Sequence, residues 1–194
     1  MDKRQKILIV DDSKLNRDIL KEILGDAYNY LEAENGNQAI QRIGENIGID
    51  LMLLDINMPQ MNGFEVLEIM KRSQCIAETP VIMISSEDAV DTMRKAYELG
   101  ITDYITRPFD SVIVKKRVQN TLGLYMNQKH LINVFSALAV TGSQYITHNP
   151  DHDIIIFFFF VNLIINHIYQ MLLILCVRHM SWESQIISHD RLIL

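Results

Sequence analysis

Three runs of four apolar residues, Ile7–Val10, Leu51–Leu54 and Val81–Ile84, contain no polar side chain. Successive side chains of a strand point to opposite faces, so a strand with one wet face alternates apolar and polar residues. A strand that is apolar throughout is covered on both faces, as in a parallel sheet flanked by helices. Two further short strands are predicted around Tyr28–Glu32 and at Asp103–Thr106. Helical patterns lie between them. Ser13 can cap a helix whose apolar stripe is Leu15, Ile19, Leu20, Ile23 and Leu24, and Gly25 can end it. A second helix is predicted from Asn37 to about Glu45, and a third from near Phe64. A fourth uses Ala89, Val90, Met93, Ala96 and Tyr97 and stops at Gly100; a fifth follows Asp110 as its cap. Strand alternating with helix five times predicts an α/β fold, a doubly wound five-stranded parallel sheet.

The polar residues fall at telling places. Asp11 and Asp12 follow the first strand, Asp55 the third, Ser85 and Ser86 the fourth, and Arg107 the fifth. Open α/β sheets bind ligands at the carboxyl ends of their strands, so the fold gathers these residues into one pocket. Three carboxylates in one pocket repel one another. A hard divalent cation with oxygen ligands offsets that repulsion, and Mg²⁺ suits carboxylates combined with phosphate oxygens and waters. A carboxylate can also attack phosphorus and form an aspartyl phosphate. Phosphoryl transfer needs positioning and charge neutralisation, which the cation and a cationic side chain supply. The Ser85 hydroxyl can donate a hydrogen bond to a phosphoryl oxygen.

The segments ILIVDDS, LMLLDINMPQMNGFE, VIMISS and DYITRPF occur in this order. Together they resemble the response-regulator receiver domain of two-component signalling, over residues 5 to about 123. The resemblance implies the sheet order 2-1-3-4-5 and a bacterial phosphoprotein switch. It implies that Asp55 is the phosphoacceptor. Asp11 and Asp12 would form the acidic pair at a Mg²⁺ ion, with Asp12 the direct ligand, and Asp55 and the backbone carbonyl of Asn57 would complete the protein ligands. Ser85 would be the switch hydroxyl, Tyr104 the aromatic that changes rotamer, and Pro59 and Gly63 the residues shaping the loop after the acceptor. Asn57 and Glu87 would flank the path of attacking water and tune dephosphorylation. The phosphoryl donor would be a histidine kinase or phosphotransfer protein, acting on a downstream target that the resemblance does not name. Such a chain is not a turnover enzyme; it catalyses only its own phosphorylation and dephosphorylation. One position departs from the pattern. The family has lysine before the proline of the fifth strand, and here Arg107 precedes Pro108. Arginine keeps the charge but presents a bulkier planar fork.

Two other function classes remain open at this point. A Mg²⁺-dependent phosphatase with an aspartyl nucleophile would place that nucleophile after the first strand with a second carboxylate two residues on, whereas Asp11 and Asp12 are adjacent. A non-phosphorylated interaction module is the third reading, and Arg107 is what sustains it.

The rest of the chain differs in composition. All nine lysines lie at or before Lys129, all six histidines at or after His130, and no glycine follows Gly142. The expected organisation is a receiver over 1–125, a helical extension over 126–153 and an apolar tail over 154–194. Ile154–Val177 is a stretch of 24 residues without formal charge, long enough to span a bilayer. Asn162, Asn166 and Gln170 give it one polar helical face. Three readings of the tail stand together: a membrane-contacting helix over 154–177, a compact appendage, and a truncated or frame-shifted output region. The pairs His152-Asp153 and His189-Asp190 are too little, in too short a segment, to predict a phosphodiesterase domain. The net charge of −6 gives no reason to expect direct nucleic-acid binding. Two distant cysteines, and an N-terminal apolar run broken by Asp11 after four residues, suit a cytoplasmic protein without a signal peptide.

Overall fold

The computed structural model describes residues 4–45, 48–73, 75–77, 79–86 and 90–148. Five strands, β1 (Lys6–Val10), β2 (Asn29–Ala33), β3 (Leu51–Asp55), β4 (Val81–Ser85) and β5 (Asp103–Thr106), form one parallel sheet in the order β2-β1-β3-β4-β5. The helices are α1 (Lys14–Leu24), α2 (Gly36–Gly44), α3 (Gly63–Arg72), α4 (Val90–Glu98) and α5 (Ser111–His148). The doubly wound sheet and its order agree with the expectation from the sequence.

The continuous apolar runs have a simple cause. Every residue of β3 and β4 is buried, and alternate side chains enter two separate cores. Leu8, Val10, Met52, Leu54, Val81 and Met83 pack with Ala39 of α2, Val66, Leu67 and Met70 of α3, and Ala96 of α4. Ile7, Ile9, Leu51, Leu53, Ile82 and Ile84 pack with Leu20 and Leu24 of α1 and Val114, Val118 and Leu122 of α5. Strand β2 lies at an edge and is only partly buried except at Ala33, which is why its apolar signal is weak and its predicted span is shifted by one residue.

The caps act as the sequence indicates. The Ser13 side chain accepts from the Asn16 N–H at the start of α1, and Gly25 ends that helix with φ 74°. Asp110 Oδ1 accepts from the N–H groups of Val112 and Ile113, 2.8 and 3.0 Å away, at the start of α5. Asn62 and Glu65 form a reciprocal capping box on α3. The predicted stripe of α1 needs correction. Leu15 is 68% exposed, whereas Arg17 is 4% exposed and lies on the line of Leu20 and Leu24. Periodicity counted Leu15 as core because it is apolar; Arg17 takes an inward position because polar partners wait there, as described below. Val90, predicted on the inner face of α4, is 67% exposed, and Ala89 lies outside the described residues.

The chain divides into Met1–Gln128 and Lys129–Leu194. Residues 129–148 are helical. The segment 154–177 and both His-Asp pairs lie outside the described residues. Among the described residues no helix is long and apolar enough to cross a membrane.

Gly63 shows how closely α3 approaches the sheet. A Cβ there would meet the Asp55 carbonyl oxygen at 2.4 Å and the Ile56 Cα at 3.1 Å. A Cβ at Gly123, inside α5, would meet nothing within 4 Å. Gly63→Ala is therefore expected to destabilise the chain by ~1–3 kcal/mol through overpacking against backbone. Gly123→Ala should be neutral or stabilising by up to ~1 kcal/mol, because it removes a flexible residue from a helix. Urea unfolding of the two variants checks both signs.

Candidate functional site

Strand pairing continues past the strand ends, and this assembles the site. Asp11 N–H donates to the Ala33 carbonyl at 3.2 Å, Ile56 N–H to Ile84 at 3.1 Å and Arg107 N–H to Ser85 at 2.8 Å. Val10 is in register with Leu54, so Asp11 comes level with Asp55 across the β1–β3 pair. Asp55 is opposite Ile84, and Ser85 is opposite Thr106. The ligand oxygens of Asp11, Asp12 and Asp55 all lie within 4.8 Å of one another. Asp11, Asp55 and Ser85 are buried, and Asp12 is exposed at the mouth.

Each carboxylate has a different environment. Asp11 is held firmly. Its Oδ1 accepts from Ser13 N–H at 2.9 Å and from the Asn16 amide at 3.0 Å; the same amide is 3.2 Å from Oδ2. Arg107 Nη2 also donates to Asp11 Oδ2 and lies 3.1 Å from Asp55 Oδ1, so one guanidinium nitrogen bridges two buried carboxylates. The contact to Asp55 is an ion pair without hydrogen-bond geometry, and Asp55 Oδ1 and Arg107 Nε have no hydrogen-bond partner among the described residues. The guanidinium carbon stands 5.6 Å from the Phe109 ring centroid, within cation–π range. Burial pushes the Asp55 carboxyl up from 3.8 to about 6, Arg107 counteracts this, and Asp11 and Asp12 add to it.

The loop after β3 curls back on itself. Gly63 N–H donates to the Ile56 carbonyl at 2.9 Å, and Gln60 adopts φ 69° at the turn. Asn57 and Pro59 are exposed in this loop. Tyr104 is 4% exposed and packs in the same core as Ala96, so its ring points into the molecule. Glu87 lies outside the described residues. The strand ends thus bring together Asp11, Asp12, Asp55 and Arg107, with Ser85 on the neighbouring strand end.

Sequence reasoning missed Asn16 and Arg17. Asn16 orients the Asp11 carboxylate, and Arg17 Nη1 donates to the Asp11 carbonyl at 2.8 Å. One signal was available: Arg17, Leu20 and Leu24 share a helical line, so an arginine stood at an inward position.

Residues 7–119 match the family described as the response regulator receiver domain. The chain belongs to that family. The receiver is 32% identical over 120 residues to chemotaxis protein CheY1 of Helicobacter pylori, covering 61% of this chain and 97% of that one. It is 33% identical over 127 residues to a Vibrio cholerae protein named "Probable cyclic di-GMP phosphodiesterase", covering 66% of this chain but 29% of that relative. The CheY-like receiver domain protein of Methanospirillum hungatei has a similar structure, with TM-score 0.58 and 26% identity over 64% of this chain and 98% of that one. The receiver is thus a module of two-component signalling that occurs both nearly alone, as in CheY1, and as part of a longer protein.

The Asp55 carboxyl gives a pH-dependent signature. Its folded pKa of about 6 exceeds the ordinary 3.8, so between these values the folded chain holds a proton that the unfolded chain has lost. Stability then falls as pH rises through that window and levels off above it. Without divalent cations, Asp55→Asn should be more stable than the parent by on the order of 2–3 kcal/mol at neutral pH. That advantage should vanish near pH ~4, where both side chains are neutral. Thermal melts at the two pH values check it; a pH-independent difference would contradict the shift.

Proposed function

We propose that the chain is a phosphorelay response regulator that accepts a phosphoryl group on Asp55 from a histidine kinase or phosphotransfer protein. The observation that carries this reading is the cluster of three carboxylates within 4.8 Å at the carboxyl edge of the sheet, bridged by Arg107. Asp55 ends the central strand, and a reactive group can approach it from the mouth marked by exposed Asp12. A carboxylate oxygen of Asp55 forms the new bond to phosphorus as the bond from phosphorus to the donor nitrogen breaks. The donor set is all oxygen and anionic, which fits Mg²⁺ better than a softer metal. Asp12, Asp55 and the Asn57 carbonyl would ligate it, with Asp11 beside them. When bound, Mg²⁺ supplies charge neutralisation for the phosphoryl oxygens. The Ser85 hydroxyl and the Arg107 guanidinium bind the remaining phosphoryl oxygens, and this draws the β4 and β5 ends toward the acceptor. Tyr104, buried on β5 two residues before Thr106, the partner of Ser85, reports that movement by changing rotamer. The receiver spans 1–125, is followed by an extension over 126–153, and works in the cytoplasm on a downstream partner.

One observation favours a second reading. Arg107 already neutralises two of the three carboxylates, as it would in an interaction module that is never phosphorylated. Labelling separates the two. Acetyl phosphate with Mg²⁺ should add one phosphoryl mass to the full chain, and Asp55→Asn should abolish it. No labelling of the parent favours the interaction module; full labelling of Asp55→Asn refutes the acceptor.

Dephosphorylation provides an independent check. Asn57 is exposed beside the acceptor, and a carboxamide does not block in-line attack by water as a bulky apolar side chain would. By the same family resemblance, Glu87 helps to orient that water. Asn57→Met should lengthen the lifetime of the phosphorylated chain, by roughly a few-fold if water access limits decay. An unchanged decay constant after removal of the donor contradicts this role.

A further inference from the structure

An arginine on the inner line of a helix needs partners around its guanidinium, because a buried unpaired charge is strongly unfavourable. Arg17 is 4% exposed and has three. Its Nε donates to Glu32 Oε2 at 2.8 Å and its Nη2 to Glu34 Oε1 at 3.2 Å, both at the end of β2. Its Nη1 donates to the main-chain carbonyl of Asp11 at 2.8 Å. Lys21 shares Glu32 at 2.7 Å and also pairs with Asp18 at 2.8 Å. Two cations thus meet three carboxylates, and the cluster has no positive surplus to lend to the acidic pocket. Its influence on the pocket is geometric.

The bond to the Asp11 carbonyl has a specific consequence. That carbonyl belongs to the peptide unit joining Asp11 to Asp12. On the other side of Asp11, its N–H is already held by Ala33 at 3.2 Å. Fixing the backbone on both sides sets the directions in which the two carboxylates leave it. Asp11 has further restraint from Ser13 and Asn16. Asp12 is exposed, and its direction follows from the peptide it leaves. A planar guanidinium can join one carbonyl to two carboxylates at once; a lysine ammonium presents no such fork.

We propose that Arg17 is a positioning residue for the divalent-cation site, tying the Asp11–Asp12 peptide to Glu32 and Glu34 so that both carboxylates face Asp55. This rests on the reading of the pocket as a Mg²⁺ site. Residues that orient metal ligands typically change affinity by 10–100-fold when removed. Arg17→Met keeps the stem and deletes the donors, and it should weaken Mg²⁺ binding about tenfold or more. Arg17→Lys keeps the charge and should recover part of that loss, leaving affinity weaker by about threefold. Glu32→Gln keeps Arg17 but loosens its brace; Glu32 is only partly buried and glutamine matches its shape, so this variant serves if Arg17→Met does not fold. It should weaken binding by about threefold.

The experiment is calorimetric Mg²⁺ titration of the full chain and each variant, with urea unfolding in EDTA alongside. Weaker Mg²⁺ binding in all three variants, with Arg17→Met the weakest, supports the positioning role. Variants that unfold more readily yet bind Mg²⁺ like the parent overturn it, since Arg17 is then a structural ion pair only. If the parent binds Mg²⁺ but acetyl phosphate leaves no label, the phosphoacceptor reading fails, and the affinity series still decides the role of Arg17. A parent that binds no Mg²⁺ overturns both.

Discussion

Repulsion among Asp11, Asp12 and Asp55 sets the conditions for the rest of the receiver. Their oxygens lie within 4.8 Å, and two of the three side chains are buried. At an effective dielectric of ~20, two unit charges at that separation repel by about 3 kcal/mol. The fold meets this with several partial compensations. Arg107 bridges Asp11 and Asp55, and Ser13 N–H and the Asn16 amide satisfy Asp11 at the start of α1. The positive end of the α1 dipole also favours negative charge there. Asp55 still has a pKa raised to about 6, chiefly because it is buried, with Arg107 opposing the shift and Asp11 and Asp12 adding to it. On the proposed reading, a divalent cation and a phosphoryl group shared with Arg107 would offset this charge.

The sheet supplies the rigidity that keeps such a cluster together. Asp11, Asp55, Ser85 and Arg107 are anchored by ladder bonds that extend beyond the strands, and both faces of those strands are packed. Gly63 lets α3 begin directly behind the Asp55 carbonyl, so the Asp55 backbone is held from behind. Asp12 and Asn57 stand exposed at the rim.

Much of this was legible in the residue order. Doubly covered strands write themselves as unbroken apolar runs, and Ile7–Val10, Leu51–Leu54 and Val81–Ile84 did so. Caps are local, so Ser13 and Asp110 could be read from their own neighbourhoods. The carboxyl-edge rule then placed Asp11, Asp12, Asp55, Ser85 and Arg107 in one region. Arg17 could not be read the same way. Its burial depends on Glu32 and Glu34, which an edge strand brings beside it only in the folded sheet. Leu15 misled for the complementary reason: apolar character does not require burial, and that position of α1 faces outward. Arg107 was legible as a cation at the strand end, but not its choice of Asp11 as well as Asp55.

The central claim is that Asp55, and no other residue, carries the phosphoryl group as a mixed anhydride. Borohydride reduces such an acyl phosphate to the alcohol and leaves free carboxylates and phosphate esters intact. The direct measurement is peptide mass mapping of the full chain after acetyl phosphate, Mg²⁺ and borohydride. The account predicts homoserine at position 55 and unmodified Asp11, Asp12 and Ser85. Homoserine at another aspartate, or a borohydride-resistant phosphate on Ser85, would contradict it.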